Sequence, residues 1–357
     1  MSGGATPAGD ELLQRLAGSV DVALQSFDLV RDRALLVELG ASTYRQASFL
    51  DERILKPGAK AAWVELSRVM EAARTVLFQH PVHFIFHTGH VGSTLVSRLL
   101  DETGAVLPLR EPTALRQLAE TYDTLRRVDS LLDERGFAVL LGGFLRLCGR
   151  GDAATKAVVV KATSSVGRMA PALLATHTTA RAIYLNLRAE PYIVTLLSGA
   201  NAAQDLRGHG PERFRRLVGY GVSALAPLYQ LSRGELAAAS WLAETWSQQK
   251  ALDAAGPRMI AVDFDTLLGD IGGEIGRIVR HLGLPHTATY LANIGQSAQL
   301  SQYAKAPEYA YSPALRSQIL GEARTQHSEE IRKGLAWLER MKASNPHVAA
   351  VCARAAA

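Results

Sequence analysis

An α/β fold with a central, mainly parallel sheet and helical extensions at both ends is what this sequence predicts. Four short apolar runs carry that expectation: residues 83–87 (HFIFH), 157–162 (AVVVKA), 182–187 (AIYLNL) and 259–264 (MIAVDF). Each has the length of a buried strand, and helix-patterned sequence separates successive runs, which is the signature of a sheet covered on both faces. Residues 105–109 offer a fifth, shorter strand.

The remaining elements come from periodicity. Residues 1–10 are rich in Gly, Ala and Pro and are expected to be disordered. From residue 11 to about 77 the pattern reads as helical. After the Pro57-Gly58 break a segment opens near Ala61 with Leu66, Val69, Met70, Ala73 and Leu77 on one face. Residues 1–80 are therefore expected to form a helical N-terminal extension, and residues 81–345 the α/β domain. A helical insertion spans about 207–256, with Trp241, Leu242, Thr245 and Trp246 on its buried side. Within it, Arg213, Arg215 and Arg216 read as one solvated helix face. The stretch 313–342 reads as helical. Residues 346–357 form a tail expected to fray from Ala349.

Composition narrows the function classes. Hydrophobic residues make up 48% and charged residues 20% of the 357, enough apolar sequence to bury a sizeable core. The net charge of +5 favours anionic ligands. No basic stripe interleaved with aromatics suggests a nucleic-acid partner. Two cysteines, Cys148 and Cys352, provide neither a disulfide framework nor metal-ligand spacing, so no metal site is expected. No basic, apolar leader and no run of about 18–20 apolar residues is present, so a soluble cytoplasmic protein without a membrane span is expected.

The most informative stretch begins with the first apolar run. The strand at 83–87 leads through Thr88-Gly89-His90-Val91-Gly92-Ser93-Thr94 into a helix with Leu95, Val96, Leu99 and Leu100 on its apolar face. Strand, glycine turn and helix N-terminus together aim backbone N–H groups and about half a positive charge at an anion. Gly89 and Gly92 allow close backbone approach, and the Ser93 and Thr94 hydroxyls can reach phosphate oxygens. A Walker A loop would carry Lys before its Ser/Thr, and here Ser93 comes directly after Gly92, against an ordinary ATP- or GTP-hydrolysing protein.

These residues resemble the 5′-phosphosulfate loop of the sulfotransferase family that uses 3′-phosphoadenosine 5′-phosphosulfate (PAPS), with Gly89, His90, Val91, Gly92, Ser93 and Thr94 at the matching positions. His90 stands where the family usually has Lys or Arg. The resemblance implies a P-loop-like three-layer sandwich, PAPS as cofactor and adenosine 3′,5′-bisphosphate as product. The layout is most similar to the protein-tyrosine and carbohydrate branch.

Further residues extend the resemblance. Arg188 ends the run at 182–187 ahead of Pro191, as does the family's 3′-phosphate arginine. The position of its partner serine is taken by Leu196, leaving Thr195 and Ser198 as the candidate hydroxyls. Glu111, just past the strand expected at 105–109, matches the glutamate that takes the acceptor's proton. Lys161, at the end of the run at 157–162, matches a lysine near the leaving phosphate; Thr163 and Ser164 can add donors there. A lysine at that strand end is badly placed for packing and well placed for a site beyond the strand ends. Asp263 and Asp265 read as turn and capping groups, the Arg332-Lys333-Gly334 string as part of a helix, and Tyr303, Lys305 and Tyr311 as possible lining of the acceptor side. The expectation is sulfuryl transfer to a hydroxyl or amine on a small-molecule or carbohydrate acceptor. Two rivals stand beside it, a P-loop kinase or phosphotransferase and a non-catalytic nucleotide-binding protein of the same fold. Neither the acceptor's identity nor the oligomeric state is written in the spacing.

Overall fold

Strand register decides where a site can lie in this molecule, a computed structural model describing residues 7–199, 202–223, 225–302, 304 and 312–356. Five strands form the central sheet: β4 (Val82–His87), β5 (Val106–Arg110), β6 (Ala157–Lys161), β7 (Ala182–Asn186) and β8 (Met259–Asp263). Their order is β5-β6-β4-β7-β8 and every pairing is parallel, so all five carboxyl ends share one edge. The four apolar runs and the shorter fifth all become strands, as their length and burial on both faces require.

Alternation along β4 splits the interior into two cores. Phe84 and Phe86 face one side, Ile85 the other, because successive strand side chains point to opposite faces. The first core is closed by α1 (Pro7–Leu16), α3 (Leu66–Thr75), α5 (Thr113–Tyr122), α6 (Glu134–Cys148) and α7 (Ala170–Thr176). The second is closed by α4 (Ser93–Asp101), α8 (Ala189–Ser198), α10 (Arg233–Ala255) and α12 (Ile271–Leu282), then by α14 (Pro313–Gln326), α15 (Ser328–Ser344) and α16 (Pro346–Ala356). The result is a three-layer α/β sandwich. The long α9 (Ala202–Gly219) and shorter elements complete it: α2 (Ala41–Gln46), α11 (Phe264–Gly269), α13 (Ala288–Asn293) and a 3-10 turn at Ser164–Met169.

The N-terminal region departs from the expected helical extension. It contains an antiparallel sheet of β1 (Val22–Asp28), β2 (Arg33–Glu38) and β3 (Ala61–Glu65), packed into the first core beside α1 and α3. The reason is local: β3 alternates exposed and buried residues along its length, and Asp32, with φ of +49°, turns β1 back onto β2. The helix expected near Ala61 therefore starts at Leu66, and Leu77 lies beyond it, exposed. Disorder was expected over residues 1–10, yet residues 7–10 open α1, and residues 1–6 lie outside those described. The tail does not fray at Ala349 either: Val348, Val351 and Cys352 of α16 are buried. Arg213 and Arg216 also fail to form a solvated face, since α10 covers them and only Arg215 of the three is exposed. Among the described residues no helix is long and apolar enough to cross a membrane.

Candidate active site

Four successive strands of the sheet, β5, β6, β4 and β7, deliver the candidate residues to one edge. After β4 the chain turns through three residues at positive φ: Gly89 at +96°, His90 at +56° and Gly92 at +67°. Gly92 has no alternative, because a Cβ there would run into the ring of Phe264. The turn is anchored by His87, whose Nδ1 accepts from the Gly89 N–H (3.1 Å). That fixes the proton on Nε2, which donates to the Ala162 carbonyl at 2.9 Å. His87 thereby ties the turn to β6, a role that the sequence pattern did not reveal.

The amides of residues 90–95 have no backbone or side-chain acceptor among the described residues, as expected for a helix N-terminus open to an anion. Ser93 and Thr94 are buried at the head of α4, and Thr94 Oγ1 is without a hydrogen-bond partner among the described residues. Val91 packs inward and contributes its backbone. His90 does not point into open space. Its Nε2 lies 3.6 Å from Asp205 Oδ2 on α9. Burial alone would raise the Asp205 carboxyl, but the nearby His90 ring and the charge of Arg213, bonded at 2.7 Å, outweigh it and hold Asp205 well below the usual range.

On the β6 side, Arg110 pairs in register with Lys161, which brings Glu111 beside it. Glu111 N–H donates to the Lys161 carbonyl (2.6 Å) and its Oε1 accepts from the lysine Nζ. Lys161 is fully buried, and Glu111 sits at φ +54°, an uncommon conformation for a residue with a side chain. The local structure enforces it. Arg110 is fully buried, its guanidinium bonded to Ser97, Asp101 and the carbonyls of Tyr44, Arg45 and Ala47. Burial brings that guanidinium down to about 10. Ser164, three residues past Lys161, packs against the turn at Gly89, and Thr163 Oγ1 is 3.0 Å from Ser165 Oγ.

On the β7 side, Arg188 caps the start of α8, exposed, with no hydrogen bond or ion pair for its side chain among the described residues. Glu190, its nearest acidic neighbour in sequence, bonds Arg324 instead at 2.8 Å. Of the two hydroxyl candidates, Ser198 donates back to the Thr195 carbonyl (2.9 Å), whereas Thr195 Oγ1 is buried and without a partner among the described residues. Arg316 is a residue that the sequence pattern did not single out. It lies in the first turn of α14, 2.9 Å from Asp265, its Cζ 5.2 Å from the centroid of the Phe264 ring that covers Gly92. Its Nη2 is buried and has no hydrogen-bond partner among the described residues. Nothing local in the Pro-Ala-Leu-Arg string marks it.

Other sequence assignments find their places. Asp263 caps α11 through the Thr266 N–H (2.8 Å), and Asp265 pairs with Arg316. Residues 332–334 lie inside α15, where Gly334 lets that helix meet α10 at Gly234. Tyr303, Lys305 and Tyr311 lie outside the described residues. No cluster of metal-ligating side chains is found among the described residues.

No protein-family model and no curated protein matches the chain. Among solved structures it is similar to the sulfotransferase domain from the curacin biosynthetic pathway, at 14% identity over 70% of this chain and 98% of that one, with a TM-score of 0.37. Sulfotransferase STF9 from Mycobacterium avium is similar at 14% identity, 91% and 97% coverage and a TM-score of 0.36. Retinol dehydratase, in a complex with androsterone and inactive cofactor PAP, is similar at 13% identity, 92% and 94% coverage and a TM-score of 0.32. Likenesses this distant leave the chemistry of the site to its own geometry.

Proposed function

We propose that the chain is a PAPS-dependent sulfotransferase acting on a hydroxyl-bearing acceptor. One observation carries the reading: a lysine-free anion turn, an acid–lysine pair and an arginine unpaired among the described residues lie at the carboxyl ends of four neighbouring strands, β5, β6, β4 and β7. The residues present fit a nucleotide with two separate phosphate ends. Open amides and the unsatisfied Thr94 hydroxyl suit the phosphosulfate end, and Arg188, Thr195 Oγ1 and Arg316 Nη2 suit the 3′-phosphate end. An arginine fork can meet phosphate bidentately, which favours these guanidinium groups.

When bound, PAPS would supply the sulfuryl group. The chain's residues do the rest. The Glu111 carboxylate takes the proton from the acceptor oxygen, since a neutral hydroxyl is a weak nucleophile. Lys161 holds Glu111 in place and offers its charge toward the leaving oxygen, where fixed positive charge counts most. The His90 N–H groups, backbone and ring, border the same turn. A binding-only protein is the second reading, favoured because Lys161 and His90 already sit against carboxylates, Glu111 and Asp205.

Calorimetry with adenosine 3′,5′-bisphosphate, and with ATP plus magnesium, tests the nucleotide; labelled PAPS tests turnover. Tight binding of the bisphosphate, transfer by the native chain and loss of transfer by at least ~100-fold in Glu111→Gln are expected. Preference for ATP with magnesium would favour a kinase. Full transfer by Glu111→Gln would remove the assigned base.

A further inference from the structure

Beside the proposed nucleotide site lies a cavity of ≈580 Å³ between α5, the 3-10 turn at Ser164–Met169 and α9. Two of its walls continue directly from the anion turn. Ser164 packs on Gly89 and the next residue, Ser165, lines the cavity. Asp205 holds His90, and Gly208 and His209, one turn of helix further along α9, line it as well. The cavity is thus an annex of the site, of a size that holds a small-molecule ligand.

Its chemistry is unusual for such a pocket. Every lining side chain is polar or charged, Gly208 aside. Part of the wall is a fixed ionic lattice: Arg168 bonds Asp123 and lies 3.7 Å from Glu212, which bonds Arg216. Glu120, His209 and Arg215 also line it, and their side chains have no hydrogen bond or ion pair among the described residues. An aromatic or sterol acceptor would strip water from these groups without replacing its hydrogen bonds. Hydroxyls, which both donate and accept, serve Arg215, Glu120 and His209 alike. Glu120 and Thr124 border a second cavity of ≈600 Å³ over the N-terminal sheet, lined also by the half-exposed Trp63. Two adjoining cavities give room for more than one ring.

Resting on the sulfotransferase reading, we infer that this annex is the acceptor site and that its acceptor is a polyhydroxylated molecule of the oligosaccharide class. Gly208→Trp tests it, because Gly208 lines the cavity and no described atom lies within 4 Å of a Cβ there, so the backbone accepts a side chain at this wall. Full-length protein is incubated with labelled PAPS and either maltotriose, cellobiose and chitobiose or 2-naphthol, with adenosine 3′,5′-bisphosphate thermal shifts recorded in parallel. The native chain is expected to label saccharide, and Gly208→Trp to lose at least ~100-fold of that labelling while keeping the native nucleotide shift. Arg215→Ala is expected to raise the KM for saccharide several-fold at unchanged nucleotide affinity. Labelling of 2-naphthol alone, no labelling of saccharide by a chain that still binds the bisphosphate, or full saccharide labelling by Gly208→Trp would each overturn the inference. Absence of any bisphosphate shift in the native chain would instead overturn the nucleotide reading beneath it.

Discussion

Two groups of arginines in this molecule look alike in sequence and are opposite in structure. Arg213 and Arg216 are buried on α9, each bonded to Glu244 of α10, with Asp205 and Glu212 completing the set. At the carboxyl end of the sheet, the Arg188 side chain has no partner among the described residues, and Arg316, paired with Asp265, keeps its Nη2 without an acceptor there. A buried charge left unpaired is expensive, so the first group must be mutually satisfied for the fold to persist. The second group is what remains when a surface is built for a partner that brings its own negative charge. Arg213 and Arg216 each meet two carboxylates, whereas Arg188 meets none among the described residues.

The largest effect expected breaks the satisfied group. Glu244→Ala leaves two buried arginines short of their shared carboxylate and should cost about 3–5 kcal/mol in urea unfolding. Where the variant remains folded, its bisphosphate affinity should stay near native. Next comes the turn itself: Gly92→Ala puts a Cβ against Phe264 at positive φ, and should cost about 1–3 kcal/mol and abolish the bisphosphate thermal shift.

The acid side of the stability curve sharpens the contrast further. Asp205 titrates below its ordinary 3.8 in the folded chain, so near that pH the unfolded chain binds more protons. Its contribution is present in full above the unfolded value and is lost as pH falls below about 4. Asp205→Asn should therefore flatten the fall in urea midpoint below pH 4, with little change in slope at neutral pH. The smallest effect is expected between two hydroxyls of α8. Thr195→Val should weaken bisphosphate binding a few-fold, and Ser198→Ala should not, because Ser198 spends its hydrogen on its own helix.

Sequence range explains why some of this was legible. The β4 strand, its glycine turn and α4 are contiguous, so their geometry is written in one stretch of residues. Lys161 and Glu111 were each visible at a strand end, and the sheet register Arg110↔Lys161 joins them. Arg316 could not be read, since only the packing of α14 brings it to Phe264. The pairing of Arg213 and Arg216 was hidden for the same reason: helical periodicity marks a face without saying whether another helix covers it. The N-terminal sheet was missed because β3 alternates in burial and not in residue type: Ala61 and Trp63 lie on its exposed face, so the sequence shows no period of two, and the burial of Ala62 and Val64 comes from α1 and α3.

Arg188 gives the most direct test of the site. Arg188→Ala removes an exposed side chain with no partner among the described residues, so its urea midpoint should match the native chain within about 0.5 kcal/mol. By calorimetry its affinity for adenosine 3′,5′-bisphosphate should fall about 10–100-fold, while affinity for 5′-AMP, which lacks the 3′-phosphate, stays at the native value. Equal binding of the bisphosphate by both proteins, or an equal loss for both nucleotides, would contradict the placement of a 3′-phosphate at the end of β7.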